Sequence, residues 1–88
     1  MWNVGAAVVL RRDGGLKQSV DILLQLIGQK SVSLRTRIAC HLELGKAYDL
    51  LGLRREAQAE YRRVMVLDDS PTNRDLARRL IKRRYQGL

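Results

Sequence analysis

The residues that could carry out catalysis in this chain are few and poorly spaced for it. Cys40 and His41 are the only cysteine and the only histidine among the 88 residues, and they are adjacent. On a helix, adjacent side chains point about 100° apart, so the two cannot serve as nucleophile and base or share a metal ion. No further cysteine or histidine completes a zinc site. We predict that both are packing residues, and we predict no catalytic, metal or cofactor site.

The acidic residues are spaced as surface groups rather than as a catalytic pair. Glu43 and Asp49 are six residues apart, which does not place them on one face of a helix. Glu56 and Glu60 do share a helix face, and the arginines beside them favour surface ion pairs. The chain is therefore predicted not to be an enzyme, and no small-molecule substrate is expected.

The chain is strongly basic, with a formal net charge of +8. Such a charge favours anionic partners, which include nucleic acid, acidic protein surfaces and lipid headgroups. The basic residues are distributed along most of the sequence, so a solvated helical surface accounts for the same charge without a ligand. The apolar run at residues 4–10 is too short to span a membrane and lacks the order of a secretion signal. We expect a cytoplasmic protein, free or on the periphery of a larger complex.

Five helical segments account for most of the sequence. Apolar residues recur at steps of three and four and strand signals are weak, which predicts an all-α fold. Ser33 is predicted to cap the third helix, and Pro71 to break the chain before the fifth. Thr72 and Asp75 would then form a capping box, and Tyr85 would lie on the apolar face of the last helix. The predicted helices cover residues 2–12, 16–29, 34–51, 54–67 and 73–86.

Small and aromatic residues stand at fixed spacing in the centre of the chain. They are Leu44, Gly45, Tyr48, Gly52, Ala57 and Tyr61, followed by the Leu-Asp-Asp-Ser-Pro ending at residues 67–71. With this spacing, residues 38–71 resemble one tetratricopeptide repeat, a helix–turn–helix unit of 34 residues. The resemblance implies that Gly45 and Ala57 allow a close helix crossing, that Gly52 forms the turn, and that the two tyrosines fill the adjacent space. His41 and Val64 depart from the family pattern, which usually has tryptophan and alanine there.

The remainder of the chain is interpreted by comparison with this central unit. Residues 1–33 are a degenerate preceding hairpin that aligns with residues 34–71 at an offset of 38 positions. In that alignment Ala7, Gly14, Ser19 and Leu23 correspond to Gly45, Gly52, Ala57 and Tyr61. Residues 72–88 are a basic capping helix. The resemblance implies a single domain of antiparallel helical hairpins, stacked as a short α-solenoid of about five helices.

A non-catalytic adaptor that binds a protein or peptide is the function that the resemblance implies. In such stacks the first helix of each hairpin lines a groove in which partners bind. The resemblance continues this surface onto the first hairpin at Val4, Val8, Arg11 and Arg12. The predicted partner-binding residues are Leu42, Glu43, Lys46, Asp49 and Leu50, with Arg78, Arg79 and Lys82 as a basic flank.

Two further interpretations of the surface stay open. Stacked hairpins normally number three or more, so we expect either that the chain self-associates or that it is a fragment or subunit that packs against other protein. The first surface to test for such contacts comprises Trp2, Val4, Val8 and Val9. A competing interpretation has the basic last helix bind nucleic acid or an anionic membrane surface, with affinity that falls as salt rises. No sequence feature identifies the partner.

Overall fold

The computed structural model describes residues 3–12, 14–68 and 70–86. Within these ranges the chain forms five α-helices and no strand, which confirms the predicted all-α class. Each helix packs against the next along the chain, and the first also contacts the third. None of the described helices is long and apolar enough to cross a membrane. The helices are α1 (Val4–Arg12), α2 (Leu16–Gly28), α3 (Leu34–Leu50), α4 (Arg54–Leu67) and α5 (Pro71–Lys82).

The buried core consists of two clusters that meet at α3. The first lies among α1, α2 and α3, and its members are Ala7, Ile22, Leu23, Leu26, Cys40 and Leu44. The second lies among α3, α4 and α5, and its members are Ile38, Ala57, Tyr61, Val64 and Ala77. Tyr48 on α3 packs against both clusters. Helix α3 therefore contributes to both clusters and packs directly against α1, α2 and α4.

The turns that join α1 to α2 and α3 to α4 have the same backbone geometry. Gly14 and Gly52 have φ values of +89° and +80°, a region that glycine enters without steric cost. In each turn the glycine amide donates to the carbonyl three positions earlier, at 3.2 Å and 3.1 Å respectively. The next amide donates to the carbonyl five positions earlier, at 2.7 Å and 2.8 Å. These bonds satisfy carbonyls at the helix ends, so both helices end in one type of glycine cap.

Small residues lie at the close crossings within the two hairpins. Ala7 and Ser19 are buried in the first, and Gly45 and Ala57 in the second. The Ser19 hydroxyl donates to the Ala7 carbonyl at 2.8 Å, which ties α2 to the backbone of α1. A Cβ placed on Gly45 would lie 2.8 Å from Cδ1 of Tyr61, closer than carbon atoms approach. The predicted close approach at Gly45 is therefore present, with the Tyr61 ring directly against it.

The predicted start of α3 is confirmed, and the predicted start of α5 is wrong. Ser33 caps α3, where its hydroxyl accepts from the Thr36 amide at 3.2 Å. Pro71 begins α5 instead of preceding it, because the first helical position does not need an N–H and suits the fixed φ of proline. Thr72 therefore lies inside the helix and does not cap it. Asp75 forms an ion pair with Arg78 at 2.8 Å instead of closing a capping box.

Helix α5 also ends earlier than predicted, at Lys82. Arg54 on α4 donates to the carbonyls of Leu80 and Ile81 at 2.8 Å and 2.7 Å. Gln58, one turn further along α4, donates to the Ile81 carbonyl at 3.1 Å. These side chains satisfy carbonyls that would otherwise lack partners at the helix C-terminus. Residues 83–86, hereafter the C-terminal segment, leave the helix, and Tyr85 lies on that segment rather than on a helical face.

Candidate partner-binding groove

The C-terminal segment lies against α1 and α3, and Tyr85 makes the contacts. The guanidinium carbon of Arg11 lies 5.2 Å from the centre of the Tyr85 ring, and Nζ of Lys46 lies 5.3 Å from it. The backbone amide of Tyr85 donates to a carboxylate oxygen of Asp49 at 2.9 Å. The surface that receives this segment, hereafter the groove, comprises Arg11, Glu43, Lys46, Asp49 and Leu50.

A three-member charge chain forms one wall of the groove. Glu43 accepts from Arg11 of α1 and from Lys46, whose Nζ lies 3.3 Å from its carboxylate. The side chains of Arg11, Glu43 and Lys46 are only 5%, 15% and 18% exposed. Ion pairs that are shielded from water are screened less than surface pairs, and the shared carboxylate orients both cations. Glu43 therefore positions the two cations that contact the Tyr85 ring.

Asp49 forms the floor of the groove, and its side chain is 0% exposed. Its carboxylate oxygens each lie 3.0 Å from Nη1 of Arg54. One of them also accepts from the Tyr61 hydroxyl at 2.7 Å and from the Tyr85 amide at 2.9 Å. The sequence analysis placed Asp49 among the exposed acidic groups of the groove. The structure corrects this position, because donors from α4 and from the C-terminal segment cover the carboxylate.

The apolar groove residues differ in accessibility. Leu42 is half-buried and packs against the second core cluster. Leu50 is 36% exposed and lines a cleft of about 440 Å³ beside the C-terminal segment. Val4 and Val8 are half-buried and Val9 is exposed, whereas Trp2 and the side chain of Arg12 lie outside the described residues. Of the apolar residues predicted to bind a partner, Leu50 is the one that borders Tyr85.

The three basic residues of α5 that were predicted to flank the groove are exposed, and one of them forms an ion pair. Arg78 is paired with Asp75 on its own helix. Arg79 and Lys82 line a second cleft, of about 580 Å³, between α5 and the C-terminal segment. The structure thus brings Glu43, Lys46, Asp49 and Leu50 together around Tyr85, whereas Arg79 and Lys82 line a different cleft that the segment also borders.

His41 and Cys40 are buried away from solvent on α3. Nδ1 of His41 lies 2.7 Å from a carboxylate oxygen of Glu60, which also pairs with Arg63. Glu60 is therefore a buried group, and its prediction as a surface ion pair was wrong, because α3 covers it. Burial raises the pKa of the Cys40 thiol, which disfavours the nucleophilic thiolate.

Burial raises the pKa of Tyr61, and the hydrogen bond to Asp49 and the charge of that carboxylate raise it further. An unfolded tyrosine loses its proton near pH 10, whereas folded Tyr61 keeps it to higher pH. The free energy of unfolding should therefore be unaffected by this group below about pH 10 and should fall as the pH rises above that value. Thermal denaturation between pH 8 and 11 should show this fall, and Tyr61→Phe should reduce its slope. Equal slopes in the two proteins would contradict the assignment.

Comparison of the chain with protein-family models, with curated proteins and with solved structures finds no match. The class that the described residues define is an all-helical protein of five packed helices. Its candidate site is a groove whose charged side chains already hold a segment of the same chain. The contacts of that segment are the most direct guide to what the groove accepts.

Proposed function

We propose that the chain is a tetratricopeptide-like module that binds a peptide or protein partner through the groove and acts as a non-catalytic adaptor. This proposal rests on one observation, that the C-terminal segment lies against α1 and α3. The groove accepts a main-chain amide at Asp49 and an aromatic ring between Arg11 and Lys46. A surface that receives non-helical polypeptide in this manner has the contacts that a peptide-binding groove requires.

The matching geometry of the two hairpins supports the repeat assignment. Gly14 and Gly52 form the same turn, and small buried residues lie at both helix crossings. Leu23 and Tyr61, which correspond at the same offset, are both fully buried. Equivalent turns and crossings in consecutive hairpins are what a repeat architecture requires, since each unit buries its apolar face against the next.

The competing interpretation, in which α5 binds phosphates, has less support from the same contacts. Arg74 donates to the Met65 carbonyl at 3.1 Å, and Arg78 is paired with Asp75. Arg79 and Lys82 are exposed on α5, and they border the C-terminal segment. These two residues place positive charge beside the groove. This charge favours a partner that carries acidic residues near the residue bound in the groove.

The proposal is tested with a variant that removes two groove side chains, one that contacts the Tyr85 ring and one that lines the cleft beside it, Lys46→Ala with Leu50→Ala. Proteins captured from a cell extract by the immobilised full chain are measured by quantitative mass spectrometry. We expect the specific partner to be depleted at least about tenfold with the variant, because groove contacts of this kind contribute about 1–2 kcal/mol or more together. Circular dichroism establishes that the variant remains helical.

The matched control carries the same two substitutions on α2, outside the groove. Lys17 and Leu24 are both exposed, so Lys17→Ala with Leu24→Ala removes similar side chains from another face. This control should capture the partner as the unaltered chain does. The same captured proteins from all three chains would rule out the groove, and capture abolished by nuclease treatment would favour the nucleic-acid interpretation instead.

A further inference from the structure

We infer that the partner recognised by the groove is an extended segment that presents a tyrosine, and that the chain's own C-terminal segment is a competing occupant of the same site. This inference rests on the proposed function and specifies its ligand. It follows from three features of the groove: a pair of cations held by Glu43, a buried acceptor for a main-chain amide, and two clefts that border the segment.

The cations select an aromatic side chain. Arg11 and Lys46 both lie within about 6 Å of the Tyr85 ring centre, the range over which a ring face attracts a positive charge. Nη2 of Arg11 also lies 3.5 Å from the Tyr85 hydroxyl oxygen, which phenylalanine lacks. Glu43 holds both cations through ion pairs that do not involve the occupant. An aliphatic side chain at this position would gain neither interaction.

The acceptor at Asp49 recognises main chain rather than a particular side chain. Its carboxylate accepts the Tyr85 amide while Arg54 and the Tyr61 hydroxyl hold it in place. Such a fixed acceptor needs no reorganisation when a segment binds. Arg83, where the segment leaves α5, has extended backbone angles of φ −130° and ψ 126°. A partner that follows the same path would also enter in a non-helical conformation.

The C-terminal segment leaves room that a partner could fill. Clefts of about 580 Å³ and about 440 Å³ border it, the first lined also by residues of α5 and the second by Asp49 and Leu50. The side chains of Arg83, Arg84 and Gln86 are exposed, so Tyr85 makes most of the contact with the groove. A segment anchored mainly by one residue can be displaced by a longer one that uses the same anchor and also fills the clefts.

The test is a titration of the full chain with a labelled peptide that has the sequence of residues 81–86, Ile-Lys-Arg-Arg-Tyr-Gln. Wild-type chain is compared with Tyr85→Ala, in which the segment loses its anchor. If the segment occupies the groove nine-tenths of the time, its release should lower the apparent dissociation constant of the peptide about tenfold. Nuclear magnetic resonance shifts at Lys46 and Asp49 report where the peptide binds.

Two controls separate ring recognition from charge. A peptide with alanine in place of tyrosine keeps every positive charge and should bind Tyr85→Ala at least about tenfold more weakly. Tyr85→Phe keeps the ring and should leave the peptide affinity close to that of the wild-type chain. If Tyr85→Ala does not fold, the two peptides are compared on Tyr85→Phe instead. The alanine peptide should then bind Tyr85→Phe more weakly than the tyrosine peptide does.

Equal affinity of the tyrosine peptide for wild type and Tyr85→Ala would overturn the inference, as would equal binding of the two peptides. A solution mass that doubles with concentration in wild type, but not in Tyr85→Ala, would identify a second copy as the occupant and would also overturn it. Groove-dependent capture of a partner without tyrosine-peptide binding would leave the proposed function intact and reject only this ligand assignment.

Discussion

Replacing Gly45 with leucine is expected to lower the free energy of unfolding by about 3 kcal/mol, at the upper end of the usual cost of overpacking. The Tyr61 ring lies against Gly45 and is fully buried, so an added side chain has no free space to enter. A movement of the ring away from Gly45 would break the hydrogen bond from its hydroxyl to Asp49, which is 2.7 Å long. Urea denaturation followed by circular dichroism would measure the loss.

Gly45→Ala and Gly28→Ala form a matched pair for this prediction. Gly28 is the last residue of α2, and a Cβ there would meet no atom within 4 Å. Alanine has the higher helix propensity by about 1 kcal/mol in a helix interior, so Gly28→Ala should be neutral or slightly stabilising. Gly45→Ala should cost about 1 kcal/mol overall, because the overlap with Tyr61 outweighs the propensity gain at this interior position. Equal effects at the two positions would show that Gly45 does not lie at a close crossing.

The parts of the fold that follow local rules could be predicted from the sequence. Gly52 stops α3 because one residue with positive φ closes a helix end, and Ser33 starts α3 through its own hydroxyl. The close crossing of Gly45 against Tyr61 was expected from the resemblance of these residues and their spacing to a tetratricopeptide repeat. These features depend on residues within or next to one hairpin, which is why the pattern of residues 33–71 contains them.

The predictions that were wrong concern features that depend on contacts between different helices and with the C-terminal segment. Helix α5 ends at Lys82 because Arg54 and Gln58 of α4 reach its last carbonyls, and nothing near residue 82 in the sequence encodes that contact. Asp49 was placed on an exposed groove surface by the tetratricopeptide resemblance, in which the first helix of each hairpin lines the groove. Its partners come from α4 and from the C-terminal segment, so its burial could not be predicted from α3 alone.

Asp49 also connects the scaffold to the groove. The sequence suggests that patterned residues such as Gly45 and Tyr61 build the hairpin, while the residues between them bind the partner. In the structure the Tyr61 hydroxyl and the Tyr85 amide donate to the same carboxylate oxygen. The close crossing at Gly45 therefore sets the position of Tyr61, which in turn fixes the acceptor that the C-terminal segment uses. A substitution of Asp49 should therefore change both the free energy of unfolding and the fraction of molecules in which the C-terminal segment occupies the groove.

Asp49→Ala is accordingly expected to lower the free energy of unfolding by about 3 kcal/mol, because it removes a fully buried carboxylate from several donors, although Arg54 is 31% exposed and can still be solvated. Arg54 would lose its carboxylate, and the buried Tyr61 hydroxyl would lose its acceptor. Asp49→Asn should cost less, about 2 kcal/mol, since the amide keeps the shape but turns an NH₂ group toward donors.

The matched control for both substitutions is Asp75→Asn, which alters an exposed pair with Arg78 and should change stability by about 0.5 kcal/mol or less. Urea denaturation measures all three variants, and the resonances of the Tyr85 ring in the Asn variant report whether the C-terminal segment has left the groove. We expect Asp49→Asn to release the segment as well as destabilise the fold, because both depend on one oxygen. If the segment stays in place when the carboxylate is gone, the cations at Arg11 and Lys46 alone hold it, and the main-chain acceptor is dispensable for recognition.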